Sequence, residues 1–317
     1  MENPILNDLH QWECYSFDPF HKPEKVIFNF LFNHPKHLFL QSKNRWKVFG
    51  LKVNGETVAQ IAFHLQIKTA RSPLKAPFGS LQWAGRVNQK QLACLLAYID
   101  AFFKKTGVKN IVIKNYPEAY HSVCSKLLCK TLTDLGFTAR PEVSSVIGVD
   151  KNDFESKITT SEKQKLRKSQ TRFQFTQVHV SQLSSTYLFI ETCRHQKNQS
   201  LSMTLPQLQK TIDAFPGDFF LFNVLEGERI VAAAIVIRVS KKILYAFYYA
   251  HDKQFDKISP IVFLLAGIYS FAQGSSYKMI DLGTSMKGKA VNQPLLHFKN
   301  SIGGKLTPKF IFEKTFQ

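Results

Sequence analysis

"DFFLFNVLEGERIVAAAIVIRV", residues 218–239, decides the fold. Two apolar arms rich in β-formers flank EGER at 226–229, a turn-forming break, so the stretch reads as a β-hairpin. The next stretch, "KKILYAFYYAHD" (241–252), is a long aromatic strand. "SPIVFLLAGIYSFAQG" (259–274) then predicts a helix opened by Ser259-Pro260 and closed by Gly274. "YKMIDLG" (277–283) is a strand, "NQPLLHFKNSIGG" (292–304) a helix, and "LTPKFIFEK" (306–314) a final strand. Upstream, "FQFTQVHV" (173–180) reads as a strand, followed by helices over 181–196 and 204–215.

The first half repeats this order. "KPEKVIFNFLFNHP" (22–35) reads as a short amphipathic helix closed by His34-Pro35, and "RWKVFGLKVNGETVAQIAFHLQI" (45–67) as a hairpin across Asn54-Gly55. An irregular strand with Pro and Gly covers 71–85. Residues 88–107 show apolar positions at spacings of three and four, which predicts a helix. "VKNIVIKNY" (108–116) is a buried strand, 122–137 a helix ending near Gly136, and "PEVSSVIGVD" (141–150) another strand. Such recurrence points to duplication of one α/β unit, with expected domains 1–150 and 151–317.

Bulk properties narrow the class. The chain of 317 residues is 44% hydrophobic and 13% aromatic, enough to fill two cores. No stretch reaches the roughly 18 consecutive apolar residues of a membrane-spanning helix. The start, "MENPILNDLHQWECYSFDPF", is acidic and polar, unlike a secretory signal, so a cytoplasmic protein is expected. Five cysteines, an odd number without CxxC spacing, fit free thiols better than disulfides or zinc. Cys193 and His195 stand two apart on a helix and point to different faces, a poor catalytic pair. No metal spacing is present among the histidines.

Charge is the strongest bulk signal: 42 Lys+Arg against 23 Asp+Glu, a formal +19. Such a field concentrates polyanions, so nucleic acid, nucleotide-linked substrates and anionic membrane surfaces are the partner classes, with solubility alone as the bland reading. Between the halves, "TTSEKQKLRKSQTRF" (159–173) clusters Lys163, Lys165, Arg167, Lys168 and Arg172. The run is either a solvated helix face or an anion-binding edge.

The EGER hairpin, the aromatic strand, the Ser259-Pro260 helix, "IDLG" and "LHFKNSIGG" together resemble the GNAT acyltransferase fold. More narrowly, the chain looks like the FemABX group and related tandem GNAT-like acyltransferases. "SEKQKLRKSQTRF" is similar to the basic segment that opens their second fold, and "SPLKAPFGSLQ" (72–82) to a first-domain strand. The resemblance implies an α/β (α+β) architecture of two tandem GNAT-like folds, each a mixed, mostly antiparallel sheet flanked by helices. It implies an N-acyltransferase moving an acyl or aminoacyl group to a small-molecule or nucleotide-linked amine. The co-substrate is acyl-CoA or aminoacyl-tRNA, with no tightly bound cofactor and no metal. FemABX proteins take amino acids from aminoacyl-tRNA and add them to a peptidoglycan precursor, a cell-wall role. GNAT proteins place a loop of the form Arg/Gln-x-x-Gly-x-Gly/Ala after the fourth strand. Here "HDKQFDKISP" (251–260) has Gln254 with no glycine behind it, so the backbone cannot present a row of N–H groups to a pyrophosphate, which counts against CoA without removing it.

Amine attack on an ester or thioester needs a neutral amine, oxyanion stabilisation and a proton route, but no covalent enzyme intermediate. The resemblance places Phe298-Lys299 at the catalytic cleft, with Lys299 as partner of the carbonyl oxygen or a phosphate and Phe298 against substrate. Gly303 and Gly304 suit a tight turn that lets substrate approach. Asp281 ends a strand, where open α/β sheets place ligands, and either handles a proton or merely bonds the backbone at Gly283 and Thr284. Tyr245, Tyr248 and Tyr249 lie on the strand that binds the acyl carbonyl in GNAT proteins; Tyr248 is assigned as general acid and Tyr249 as a substrate contact, with packing as the alternative. Arg194 is a guanidinium for phosphate or carboxylate, or else a helix-end charge. Arg167 and Lys168 are assigned to an anionic carrier. The competing function classes are an aminoacyl-tRNA-dependent peptidoglycan-precursor ligase and a catalytically silent basic protein that binds RNA or anionic lipid.

Overall fold

The computed structural model of the chain describes residues 12–21 and 25–316. Its strands are β1 (Trp12–Phe17), β2 (Trp46–Val53), β3 (Glu56–Leu65), β4 (Thr69–Ser72), β5 (Gln82–Trp83), β6 (Asn110–Lys114), β7 (Thr138–Gly148) and β8 (Gln174–Val178). They continue as β9 (Phe219–Glu226), β10 (Arg229–Ser240), β11 (Ile243–His251), β12 (Met279–Thr284), β13 (Met286–Lys287), β14 (Ala290–Val291) and β15 (Lys305–Thr315). The helices are α1 (Pro35–Gln41), α2 (Gln89–Lys105), α3 (Ser122–Asp134), α4 (Thr160–Gln170), α5 (Leu183–His195), α6 (Leu205–Ala214), α7 (Pro260–Gly274) and α8 (Gln293–Ser301).

Two compact units result: Met1–Glu142 with Pro308–Gln317, and Val143–Thr307. In the first, the strands run β1-β2-β3-β4-β6-β15, with β5 paired to β3. Neighbours are antiparallel except β4 and β6, which are parallel. The second runs β8-β9-β10-β11-β12-β7, antiparallel except for the parallel pair β11 and β12. One strand plan therefore occurs twice. A parallel pair needs a crossover, supplied through α2 ahead of β6 and through α7 ahead of β12.

The sixth strand of each unit's run comes from the other half of the sequence. β15, from the end of the chain, pairs with β6, while β7, from the end of the first half, pairs with β12. The expected division at 150/151 is thus replaced by one in which Pro308–Gln317 return to the first unit. Strand pairing between distant segments is a tertiary matter on which local pattern is silent.

Local chemistry explains most elements. Asn54 and Gly55 both have positive φ (52° and 80°), as a two-residue turn between twisted strands requires. Asn88 and Gln91 form a reciprocal capping box on α2, whose Leu92, Leu95, Leu96, Ile99 and Phe103 are buried at spacings of three and four. They pack with Phe49, Ile61, Phe63 and Ile111 as the first core. In the second unit Ile261, Leu264, Leu265, Ile268 and Ala272 of α7 cover Phe222, Val224, Ala232, Ala234 and Val236.

Three local expectations differ from the structure. The irregular strand expected over 71–85 is strand only near its two ends, in β4 up to Ser72 and in the two-residue β5, with no strand over 73–81. The helix expected over 22–35 does not end at His34-Pro35; α1 begins there, with the His34 side chain accepting from Lys36 N and Pro35 in the first turn, where its missing N–H costs nothing. Strand β1 was not expected from a polar start; it is an edge strand on β2. Residues 1–11 and 22–24, part of the stretches read for a signal and for that helix, lie outside the described residues. No helix among the described residues is long and apolar enough to cross a membrane.

Candidate functional site

The parallel pairing of β11 with β12 covers only Ile243↔Met279, Leu244↔Ile280 and Tyr245↔Asp281. Beyond Tyr245 the two strands part, although β11 continues to His251 and β12 to Thr284. A bulge accounts for the divergence. Ala246 and Tyr248 face the consecutive residues Val236 and Ile235 of β10, which leaves Phe247 as an extra residue. A bulge bends and twists its strand, here just where the partner is lost. The strands part into a splay with a polar lining.

Lys299 stands in the last turn of α8, where a lysine ordinarily meets water, yet it is 1% exposed. Its Nζ donates to Gly283 O at 2.8 Å and to Thr284 O at 3.0 Å, the carbonyls at the end of β12 that has parted from β11. Burial pushes the amine down to about 8; nearby Asp281 opposes the fall and Arg194 adds to it. Gly283 has φ +75°, which lets its carbonyl turn toward the ammonium, and its N–H donates to Asp281 Oδ1 at 2.7 Å. Ser144 Oγ lies 3.5 Å from the same oxygen of Asp281, a residue 2% exposed.

Arg194 reaches the same place from α5. Its Nη2 donates to Tyr249 O at 3.3 Å and its Nη1 to Gln199 Oε1 at 2.7 Å. Tyr249 Oη donates to Leu282 O at 3.4 Å. Burial raises both Tyr245 and Tyr249, with the Asp281 charge adding to the effect, so both phenols stay protonated. Two cations, one carboxylate and two neutral phenols thus converge on the splay.

Other residues assigned from sequence lie differently. Tyr248 directs its hydroxyl to Ser202 Oγ at 2.6 Å and accepts Met203 N–H at 2.9 Å, fastening the segment before α6. Gly303 and Gly304 cap α8: Gly304 N donates to Lys299 O at 2.8 Å. A Cβ on Gly303 would stand 2.9 Å from Lys157 O, and one on Gly304 2.5 Å from Lys299 O. The room these glycines leave is taken by the protein itself. Phe298 packs against the second core. Arg167 is exposed and paired with Glu155 at 2.6 Å, and Lys168 is an exposed neighbour on α4. Cys193 is buried, its thiol raised by burial, consistent with no nucleophilic role. Sequence reasoning missed the carbonyls of Gly283 and Thr284 and the bulge at Phe247; the glycine after "IDL" was the available signal.

No protein-family model matches the sequence, and no curated protein is significantly similar to it. Solved structures are similar. FemX superposes with a TM-score of 0.66 at 14% identity, over 87% of this chain and 90% of FemX. A tandem GNAT protein from the clavulanic acid biosynthesis pathway gives 0.51 at 8% identity, over 85% and 82%. The chain has the tandem GNAT-like fold. L-PGS from Bacillus licheniformis shares it, with a TM-score of 0.53 at 11% identity over 82% of each chain.

Two further details belong to this tandem GNAT-like fold. In the segment after β11, Phe255 is buried between the guanidinium groups of Arg172 and Arg229, 5.2 and 5.5 Å from its ring centre, so a side chain occupies the segment that glycines open in a pyrophosphate loop. Among the described residues of the first unit, the corresponding parallel pair does not splay within β4. β4 is paired to β6 through all four residues, Thr69–Ser72. The chain then turns back, and Gly79 N donates to Lys114 O while buried Lys309 donates to Pro77 O at 2.9 Å.

Proposed function

We propose that the second unit transfers an acyl or aminoacyl group from an activated carrier to an amine at the splay between β11 and β12. The observation that carries this reading is the early end of strand pairing at Tyr245 and Asp281 beside a buried Lys299. The donor carbonyl lies along the unpaired edge of β11. As the amine attacks, negative charge grows on that oxygen inside a poorly hydrated site holding Lys299 and Arg194, where fixed cations are most effective. The C–N bond forms, the C–O or C–S bond to the carrier breaks, and the amine proton taken up by Asp281 or water is returned to the departing carrier oxygen or sulfur, so that the carrier leaves protonated. Tyr249 lines the edge with its neutral phenol. Tyr248 holds the neighbouring loop.

Aminoacyl-tRNA is favoured as donor by Phe255 filling the loop segment and by the formal charge of +19. Arg167 and Lys168 contribute to that field on α4. The acceptor is then an amine such as that of a peptidoglycan precursor, met in the cytoplasm where charged tRNA is found. The direct test is transfer of a labelled amino acid from aminoacyl-tRNA, or of an acetyl group from acetyl-CoA, to a panel of amines. With a tRNA donor, affinity falls by roughly 10³-fold or more between 50 and 200 mM salt as counterions are released, and CoA gives no thermal shift. A CoA enzyme shows the reverse. Binding of RNA or anionic vesicles without any transfer, unchanged in Lys299→Ala, would mark a silent binding protein.

A further inference from the structure

Cys14 and Cys94 are 80 residues apart in sequence, yet their sulfur atoms lie 3.7 Å apart in the first unit. Cys14 is on β1 and Cys94 on α2, and both are free thiols. The exposures differ: Cys94 is open to solvent, whereas Cys14 is half-buried against the core. From this juxtaposition we infer that Cys14 and Cys94 form a reversible disulfide when the protein meets a hydroperoxide.

The chemistry follows from the two environments. Burial, reinforced by Cys94, raises the Cys14 thiol to about 12, so Cys14 is a poor first nucleophile. Cys94 meets peroxide first. Its thiolate attacks one peroxide oxygen, the O–O bond breaks, and Cys94 becomes a sulfenic acid with release of one water. The sulfur of Cys14 then attacks that of Cys94, forming the S–S bond and expelling the sulfenic oxygen as a second water. Two electrons have passed from the sulfurs to the peroxide. The sulfurs must close to about 2.05 Å, a small displacement for an edge strand held by a single neighbour. The product ties β1 to α2 and shrinks the freedom of the unfolded chain, so the oxidised form is the more heat-resistant. Thiol reductants reverse it.

The test uses the full chain, reduced, freed of reductant and treated with stoichiometric hydrogen peroxide. Expected results are a fall from five titratable thiols to three, a non-reducing peptide map joining Cys14 to Cys94, and a rise in Tm of roughly 5 °C that dithiothreitol abolishes. In Cys14→Ser the Cys94 sulfenic acid persists and is trapped by dimedone. The inference is overturned if the map joins other cysteines, if no bridge forms, or if wild-type Cys94 is trapped as readily as in Cys14→Ser. The wild-type map and thiol count decide the matter even if a variant folds poorly.

Discussion

Lys299 Nζ donates to the carbonyl oxygen of Gly283 across 2.8 Å, linking the last turn of α8 to the C-terminal end of β12. The contact places a cation inside the protein, facing two backbone carbonyls and near Asp281 and Arg194. Its electrostatic consequences are measurable.

The folded-state pKa of Lys299, about 8, lies below its ordinary 10.5. Between those values the unfolded chain binds more protons, so stability rises with pH across that window and the cost of the buried charge is present in full below it. Urea unfolding from pH 7 to 10 should show wild type gaining stability relative to Lys299→Met across this window, while the opposite contribution of the raised cysteine thiols and tyrosine phenols is common to both proteins. An identical slope in both proteins would assign the effect elsewhere.

Activity should run the other way. If the ammonium stabilises the oxyanion, kcat falls as pH rises through about 8. Lys299→Met should lower kcat about 10²- to 10³-fold, a typical loss for one oxyanion partner, with a smaller change in KM. Steady-state transfer assays check both, and an intact rate in the variant would falsify the catalytic role.

Gly303→Ala and Gly304→Ala should destabilise without touching chemistry directly. Gly303 has φ +83° and a Cβ there meets Lys157 backbone, while a Cβ on Gly304 meets Lys299 O. Losses of about 1–3 kcal/mol are expected for each, read from denaturant midpoints. Wild-type stability in either variant contradicts the close approach.

Tyr248→Phe removes the acceptor of Met203 N–H and the partner of Ser202. We expect a stability loss of about 1–2 kcal/mol and less than a tenfold change in kcat. A hundredfold loss of kcat with unchanged Tm would instead make the phenol the general acid.

Much of this architecture was readable one segment at a time. The hairpin across EGER, the turn at Asn54-Gly55 and the apolar spacing of α2 follow from backbone preferences and side-chain periodicity within a few residues. The resemblance also picked out Lys299, Asp281, Arg194 and Tyr249, which the folded chain brings around one splay. A glycine pair such as Gly303-Gly304 signals close approach without saying what approaches, and here it is the protein's own backbone. Alternation along β11 does not show which hydroxyl finds a partner, and the bonds of Tyr248 to Ser202 and Met203 come only from the tertiary structure.

Short-range chemistry, then, was enough to specify most of the elements, their order and their repetition. The pairing of β15 with β6 and of β7 with β12, the bulge that parts β11 from β12 and the burial of Lys299 arose only in the folded chain. Each depends on segments far apart in sequence, whose pairing is set by shape, desolvation and hydrogen bonding in three dimensions rather than by local preference.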